Sequence, residues 1–406
     1  MPDRALEGLK VVEFGSFISA PFCGKLLADL GAEVIKIEPP KIGDEARRFG
    51  PFPGDVPNLE KSGFFIYLNG NKYGVTLDPS TATGFDIFTS LIADADVLVE
   101  NQQPGVLKGL GLDYDTLSKL NPRLVMTSVT TFGRTGPYRN YKGYDLTAWQ
   151  GSGVAHRYVG EPDREPLRGS WYHADHWSAV SAAAATMIAL AARDLTGEGQ
   201  LVDISETDIL TTHLMGYQIV TLYHLTGEHG ARAGANAVRT GAPTGMYACK
   251  DGYVFIMPLE LHHWHGLVRA MGSPDWATDP IFDVPSHERV EYADELDELI
   301  APWFAERTKE GVFAALQAER VPCGPLYNAG DIVEHEHMIA RGFLAGAEHP
   351  VLGPVRVPGG PYRLSETPWS LRRSAPTLGQ HNQLMYGGRL GFSNVDLTDL
   401  RRTGII

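Results

Sequence analysis

Three cysteines in 406 residues leave little room for thiol chemistry. Cys23, Cys249 and Cys323 lie far apart and no CxxC pair occurs, so neither a disulfide framework nor a thiolate zinc site is indicated. A reducing, cytoplasmic setting is expected. Positive charge is also scarce. Against 49 Asp and Glu there are 35 Lys and Arg, a net charge of −14. That balance argues against a nucleic acid or an anionic membrane as partner, and any anionic ligand needs a local basic patch. The familiar glycine fingerprints are missing too. No GxGxxG follows the first strand pattern, GLGL at 109–112 reads as a helix stop, and no GxSxG elbow occurs. The N-terminal MPDRALEGLKVVEF lacks a signal pattern. The uncharged run at 177–192 is short for a membrane span and contains Ser and Thr, so a buried helix is expected. His262, His263 and His265 project to different faces of a predicted helix without an acidic ligand cluster, and no metal is expected.

What is present is a β/α alternation. LKVVEF at 9–14 reads as a buried strand, 21–30 as a helix, and AEVIKIE at 32–38 as a second strand. Strand, helix and strand in so short a stretch make a right-handed βαβ unit and a parallel sheet. GFFIYL at 63–68 and NKYGVTLD at 71–78, around Asn69-Gly70, read as strand, turn, strand. Further strands are expected at 95–100, 124–130 and 201–205, and helices at 83–93, 113–121 and 206–225. Residues 131–170 read as a long loop, a kind of segment that is more often functional than filler. The length suggests two domains. We place the first part of a large domain at 1–225, a glycine-rich linker and small domain at 226–330, and the remainder at 331–406.

Asp175 opens the Ala-rich run, and two readings of it stay open. One is a helix cap, satisfying backbone N–H groups. The other is a nucleophile. A carboxylate at a helix N-terminus is favoured in its ionised form, and an ionised carboxylate in a dry pocket can attack an activated acyl group. His173 and His176 flank it and would orient it, act as a base, or simply pack.

Several longer stretches resemble the class III CoA-transferases, the family that includes formyl-CoA transferase and carnitine CoA-transferase. They are LKVVEFGSFISAPFCGKLLADLGAEVIKIEPP at 9–40, GDEAR at 43–47, NKYGVTLD at 71–78 and the segment 95–138. GYDLTAWQGSG at 143–153, Asp175 with its helix, TGEGQLVDIS, and SAPTLGQHNQ at 374–383 complete the resemblance. It implies an α/β fold with a Rossmann-like large domain built from both chain ends, a smaller α/β domain, and an interlocked homodimer. It makes Asp175 the nucleophile that carries CoA between an acyl-CoA thioester and a carboxylic acid, with coenzyme A entering as substrate and no permanently bound cofactor. It assigns CoA contacts to Arg47, Asn71, Lys72 and Asn101. It places Phe17, Ile18, Ser19, Tyr144 and Trp149 about the substrate, with Gly241 and Gly245 in a loop over the aspartate. Formyl-CoA transferase carries a glutamine where Ile18 stands and a lysine where Thr130 stands, so an acid larger than formate or oxalate is expected. The related α-methylacyl-CoA racemase has a GHD motif where this chain reads Gly143-Tyr144-Asp145, which favours transfer over racemisation. The presence of Asp175 speaks against an inactive CoA-binding protein.

Overall fold

A computed structural model of the chain describes residues 3–160, 163–165, 167–213, 220–229 and 241–406. They form two compact units. The first comprises 1–155, 168–228 and 339–406, and the second 156–167 and 229–338.

The first unit is built on a six-stranded sheet of β1 (Lys10–Phe14), β2 (Glu33–Glu38), β3 (Tyr73–Thr76), β4 (Val97–Glu100), β5 (Val125–Thr130) and β6 (Leu201–Ser205). The order is β3-β2-β1-β4-β5-β6 and every pairing is parallel. Side chains alternate across such a sheet, and here both faces are buried. Val12, Ile35, Leu98 and Met126 face one core, while Val11, Val34, Val97, Val99 and Val125 face the other.

The helices follow from local signals. In chain order they are α1 (Ser19–Asp29), α2 (Gly63–Leu68), α3 (Ala82–Ala93), α4 (Pro104–Leu110), α5 (Tyr114–Leu120), α6 (Asp145–Gly151), α7 (Val154–Tyr158), α8 (His173–Thr196) and α9 (Glu206–Leu210). The Thr81 hydroxyl caps α3 and the Asp113 carboxylate caps α5. Gly111, in the left-handed conformation at φ 69°, stops α4, and Gly197 at φ 83° stops α8. By length and composition α8 is long and apolar enough to cross a membrane. In this fold its small residues Ala179, Ala182, Ala183 and Ala189 pack among the valines of the sheet and the side chains of α1. Alanine at those positions lets the helix approach closely.

Three expectations are corrected. GFFIYL at 63–68 is the helix α2, not a strand. Ser62 caps it by accepting the N–H of Phe65, and Phe65, Ile66 and Leu68 pack with Ile18, Ala46 and Ala375. The Asn69-Gly70 pair therefore joins a helix to β3, which pairs in parallel with β2 and forms no hairpin. The segment 131–170 holds α6 and α7 and is not all loop. The expected helix at 206–225 is α9 followed by a helix at Leu222–Thr226, with 214–219 outside the described residues.

In the second unit β7 (Gly245–Cys249), β8 (Gly252–Ile256) and β9 (Cys323–Pro325) form an antiparallel sheet in the order β7-β8-β9. Helices Leu261–Ala270, Ala293–Ala305 and Lys309–Ala318 supply Trp264, Leu296, Phe304 and Leu316 to its core. The chain then returns to the first unit through the hairpin of β10 (Leu344–His349) and β11 (Gly353–Pro358). Beyond it, His381 and Asn382 hydrogen-bond the backbone of Gly74 and Thr76, covering the edge strand β3.

Candidate active site

A cavity of about 240 Å³ opens beyond the carboxyl ends of β1, β4, β5 and β6. The strand ends and the loops after them bring Ser16, Phe17, Ser19, Asn101, Thr130, Thr131 and Glu206 to its wall. Tyr144 and Asp145 come from the start of α6, and Tyr172 and Asp175 from the start of α8. This is the edge of an open parallel sheet where ligands bind.

Asn101 locks the first loop. Its carbonyl accepts the Ser16 N–H at 2.9 Å, and its amide donates to the Ser16 carbonyl at 2.7 Å and to the Ser19 hydroxyl at 3.0 Å. Phe17 sits at φ 67°, a strained conformation for a non-glycine residue. It is held there by its N–H, which donates to Asp44 at 2.9 Å. Its ring packs edge-on against Phe49 and Tyr172, with ring centres 4.8 and 5.0 Å away. The result is an aromatic wall.

Asp175 is not the cap of its helix. Trp171 and Tyr172 enter α8 in the left-handed region, at φ 23° and 53°, and the helix begins at His173. Asp175 is thus its third residue. The cap comes from Asp145 on α6, whose carboxylate accepts the Ala174 N–H at 2.9 Å. Two strained residues and a borrowed cap together free the Asp175 side chain to face the cavity. The histidines are packed instead. His176 bonds the Tyr172 carbonyl at 2.8 Å through its ring and lies edge-on to Phe22, while the His173 ring lies between Trp149 and Trp177.

The electrostatics also differ from those of an isolated helix start. Burial pushes the Asp175 carboxyl well above the usual carboxylate range, and the neighbouring Glu206 and Asp145 carboxylates push it further. Burial raises Glu206 to about 7, with the Thr131 hydroxyl opposing. Asp145 is raised by burial, against the bond from Ala174 and the nearby Arg168. Desolvation and like charge outweigh the helix dipole here, because the dipole contributes only a fraction of a charge. Among the described residues no ion pair is recorded for these three acids.

Asp145→Ala should therefore act twice. It removes a cap worth about 1 kcal/mol, measurable by urea denaturation. It also removes a negative charge, which lowers the pH at which Asp175 ionises and shifts the acid limb of the rate profile downward.

Phe17, Ser19, Asn101, Tyr144 and Asp175 are brought together on the cavity. Ile18 and Trp149 are not on its wall. Ile18 is fully buried with Ala46 and Phe65, and Trp149 lies under the site with its ring against His173. Gly241 and Gly245 belong to the second unit, where Gly241 packs on Ser286 and Gly245 opens β7.

Arg47, Asn71 and Lys72 lie away from the cavity, and each is at most 1% exposed. Arg47 grips Glu38 with two N–H groups, at 2.6 and 2.8 Å, and Glu60 at 2.8 Å. Lys72 pairs with Glu13 at 2.7 Å, and the same Glu13 takes Lys36 at 2.9 Å. Asn71 donates to Asp29 and accepts from the backbone of Arg372. Cations buried this deeply must be paired with carboxylates, and that pairing occupies them.

Asp145 and Glu206 are the site residues that sequence reasoning missed. Glu206 directly follows the LVDIS strand, so the rule that ligands meet residues just past strand ends would have found it. Asp145 stands in the Gly143-Tyr144-Asp145 motif, but only the packing of α6 on α8 joins it to the start of the Asp175 helix.

A buried carboxyl on the wall of a cavity at the carboxyl edge of a parallel α/β sheet makes this the candidate active site. Residues 6–382 match the family model described as CoA-transferase family III, and the chain belongs to that family. It is similar to succinyl-CoA–D-citramalate CoA-transferase of Chloroflexus aurantiacus, with 35% identity over 100% of this chain and 99% of that one. It is also similar to formyl-CoA:oxalate CoA-transferase of Streptomyces avermitilis, with 33% identity over 99% of this chain and 100% of that one. Among solved structures, a CAIB/BAIF family protein from Brucella suis superposes with a TM-score of 0.84 at 30% identity, over 95% of this chain and 100% of that one. The protein is a CoA-transferase whose substrate is a CoA thioester.

Proposed function

We propose that the protein moves CoA from an acyl-CoA to a carboxylic acid through covalent intermediates on Asp175. The observation that carries this is the Asp175 carboxyl itself, turned into the cavity by a strained helix entry while Asp145 does the capping. A carboxylate oxygen of Asp175 attacks the thioester carbonyl, the C–S bond breaks, and CoA leaves as thiolate, giving an aspartyl anhydride. The thiolate attacks the aspartyl carbonyl, releasing the first acid and forming an aspartyl-CoA thioester. The acceptor carboxylate displaces CoA to make a second anhydride, and the thiolate then takes the acceptor's acyl group, regenerating Asp175. Relay through a covalent carboxylate splits one difficult transfer into easier steps.

The adjoining cleft shares Pro104 and Arg139 with the cavity and adds Lys108. These cations, rather than Arg47 and Lys72, suit the nucleotide phosphates of CoA. The aromatic wall of Phe17, Tyr144 and Tyr172 suits an acid larger than oxalate, and D-citramalate, in the name of one relative, is such an acid. We also take the working state to be a homodimer. Val180, Ile188 and Leu195 lie on one face of α8 and are 51%, 71% and 90% exposed. Sedimentation equilibrium should give twice the chain mass.

The test is to incubate the protein with a panel of acyl-CoAs, trap with hydroxylamine or borohydride, and map the modified peptide by mass. An adduct confined to the Asp175 peptide is expected. No adduct, with solvent deuterium entering the α-carbon of a branched acyl-CoA, would replace transfer by racemisation.

A further inference from the structure

Ser19 is a serine at a helix start that does not cap the helix. The cap position of α1 is Ile18, which gives no side-chain bond, and Ser19 is the first helical residue. Its hydroxyl meets Asn101 instead, and the direction of that bond is fixed. The Asn101 carbonyl accepts the Ser16 N–H and its amide donates to the Ser16 carbonyl, so turning the amide over would set N–H against N–H and C=O against C=O. One amide hydrogen therefore goes to the Ser16 carbonyl and the other, at 3.0 Å, to the Ser19 oxygen. Ser19 is the acceptor in that pair, and its own hydrogen points elsewhere. Among the described residues no acceptor takes it. Ser19 is 2% exposed and stands on the wall of the reaction cavity, so its spare O–H is a buried donor open to a ligand acceptor.

Two ring contacts place Ser19 against Asp175. Phe17 meets Tyr172 with ring centres 5.0 Å apart, and Phe22 meets His176 at 5.2 Å. Ser19 lies between Phe17 and Phe22 in the chain, and Asp175 between Tyr172 and His176. The starts of α1 and α8 thus face each other on this cavity, and deeper in the protein Ala20 and Ala179 share one core cluster. The Tyr141 and Tyr144 phenols also reach the cavity, but both residues are exposed and water competes for their hydroxyls.

We propose that Ser19 is a further catalytic residue: its hydroxyl donates a hydrogen bond to the thioester carbonyl oxygen and stabilises the oxyanion formed when Asp175 attacks. This rests on the covalent reading above. As the bond from the Asp175 oxygen to the acyl carbon forms, the C=O π pair moves onto oxygen. Ser19 keeps its proton and supplies only the hydrogen bond. The pair then returns to carbon, the C–S bond breaks, and its electrons leave with the CoA thiolate. The last step, thiolate attack on the acceptor's acyl group, passes through the same kind of oxyanion. The same cavity wall carries the Asp145 and Glu206 carboxyls, so negative charge developing there needs a donor. One aligned in advance by Asn101 requires no reorganisation when the charge appears.

The experiment measures single-turnover acylation of Asp175 by acetyl-, propionyl- and succinyl-CoA in wild type and Ser19→Ala, with the trapped peptide as readout. Asn101 keeps both bonds to Ser16 in the variant, so the first loop stays pinned. Alanine should lose about 10²-fold in rate, the scale of one preorganised donor, while the half-saturating acyl-CoA concentration stays within a few-fold. The loss should be the same from about pH 5 to about pH 9, because a serine hydroxyl does not titrate there. A second readout separates donation from packing. The isotope-labelled thioester carbonyl of acyl-CoA bound to Asp175→Asn, followed by infrared difference spectroscopy, should move to higher frequency when Ser19→Ala is added. A wild-type acylation rate in Ser19→Ala, or a carbonyl band that stays in place, would overturn the proposal and leave the covalent route intact. If Ser19→Ala fails to fold, Ser19→Cys, of similar size with a far weaker donor, takes its place in both measurements with the same expectations. No adduct in wild type with any donor would remove the covalent reading, and this proposal with it.

Discussion

Asp175→Asn should lower CoA transfer by about 10⁴-fold or more, the scale on which losing a covalent nucleophile acts. That corresponds to about 5.5 kcal/mol of transition-state stabilisation. Asparagine keeps the size and shape of the side chain, so the Phe17–Tyr172 wall and the Asp145 cap on Ala174 remain in place. Acyl-CoA binding, measured by calorimetry, should therefore survive within a few-fold, since it draws on the same walls. The amide also removes one of the three acids, which makes the cavity less costly to bury. The variant is expected to be at least as stable as wild type, as active-site substitutions that relieve strain and repulsion often are. Wild-type turnover in Asp175→Asn would exclude the aspartyl route whatever the fate of the other residues.

The second large effect is on stability. Lys72→Ala should cost about 3–5 kcal/mol, the range for breaking a buried ion pair by removing one partner. Beneath the first loop, Lys72 and Lys36 share Glu13, and Lys36 also reaches Asp44 at 2.6 Å. Without Lys72, Glu13 and Asp44 are left to a single lysine in a fully buried position. The Pro21 carbonyl and the Asn69 side chain also lose the donor that Lys72 gives them. Urea denaturation should show the lower midpoint, while KM for acyl-CoA in the remaining folded protein stays near wild type. Lys108→Ala should do the reverse. Lys108 is exposed on α4 at the cleft beside the cavity, so its loss should raise KM at little cost in stability. A raised KM with unchanged stability in Lys72→Ala would return that lysine to the CoA site.

The architecture is legible in the sequence because it is written in local periodicity. Val11-Val12, the alternation through Val34 and Ile37, and the run from Val97 to Val99 are strands buried on both faces, and only a parallel sheet buries both faces of so many strands. Gly111 and Gly197 mark helix ends because only a left-handed residue closes them cheaply. Asp175 could be singled out because a charge at the head of an uncharged helix needs a reason.

Local pattern fails where the deciding partner is remote. GFFIYL has the composition of a strand, but Ser62 supplies a cap, and Ala375, about 310 residues away in sequence, supplies part of its burial. Arg47 and Lys72 have the charge of phosphate ligands, yet whether a cation faces solvent or a carboxylate depends on where Glu38 and Glu13 point, and strand register decides that. The role of Asp175 turns on the same kind of fact. By itself the sequence determined which helix carries the aspartate and that the helix is apolar. Tertiary structure decided that Asp145 caps that helix in its place and that Glu206 lines the same cavity. The cap joins segments about 30 residues apart in the chain, and a pKa depends on distance in space, not along the chain.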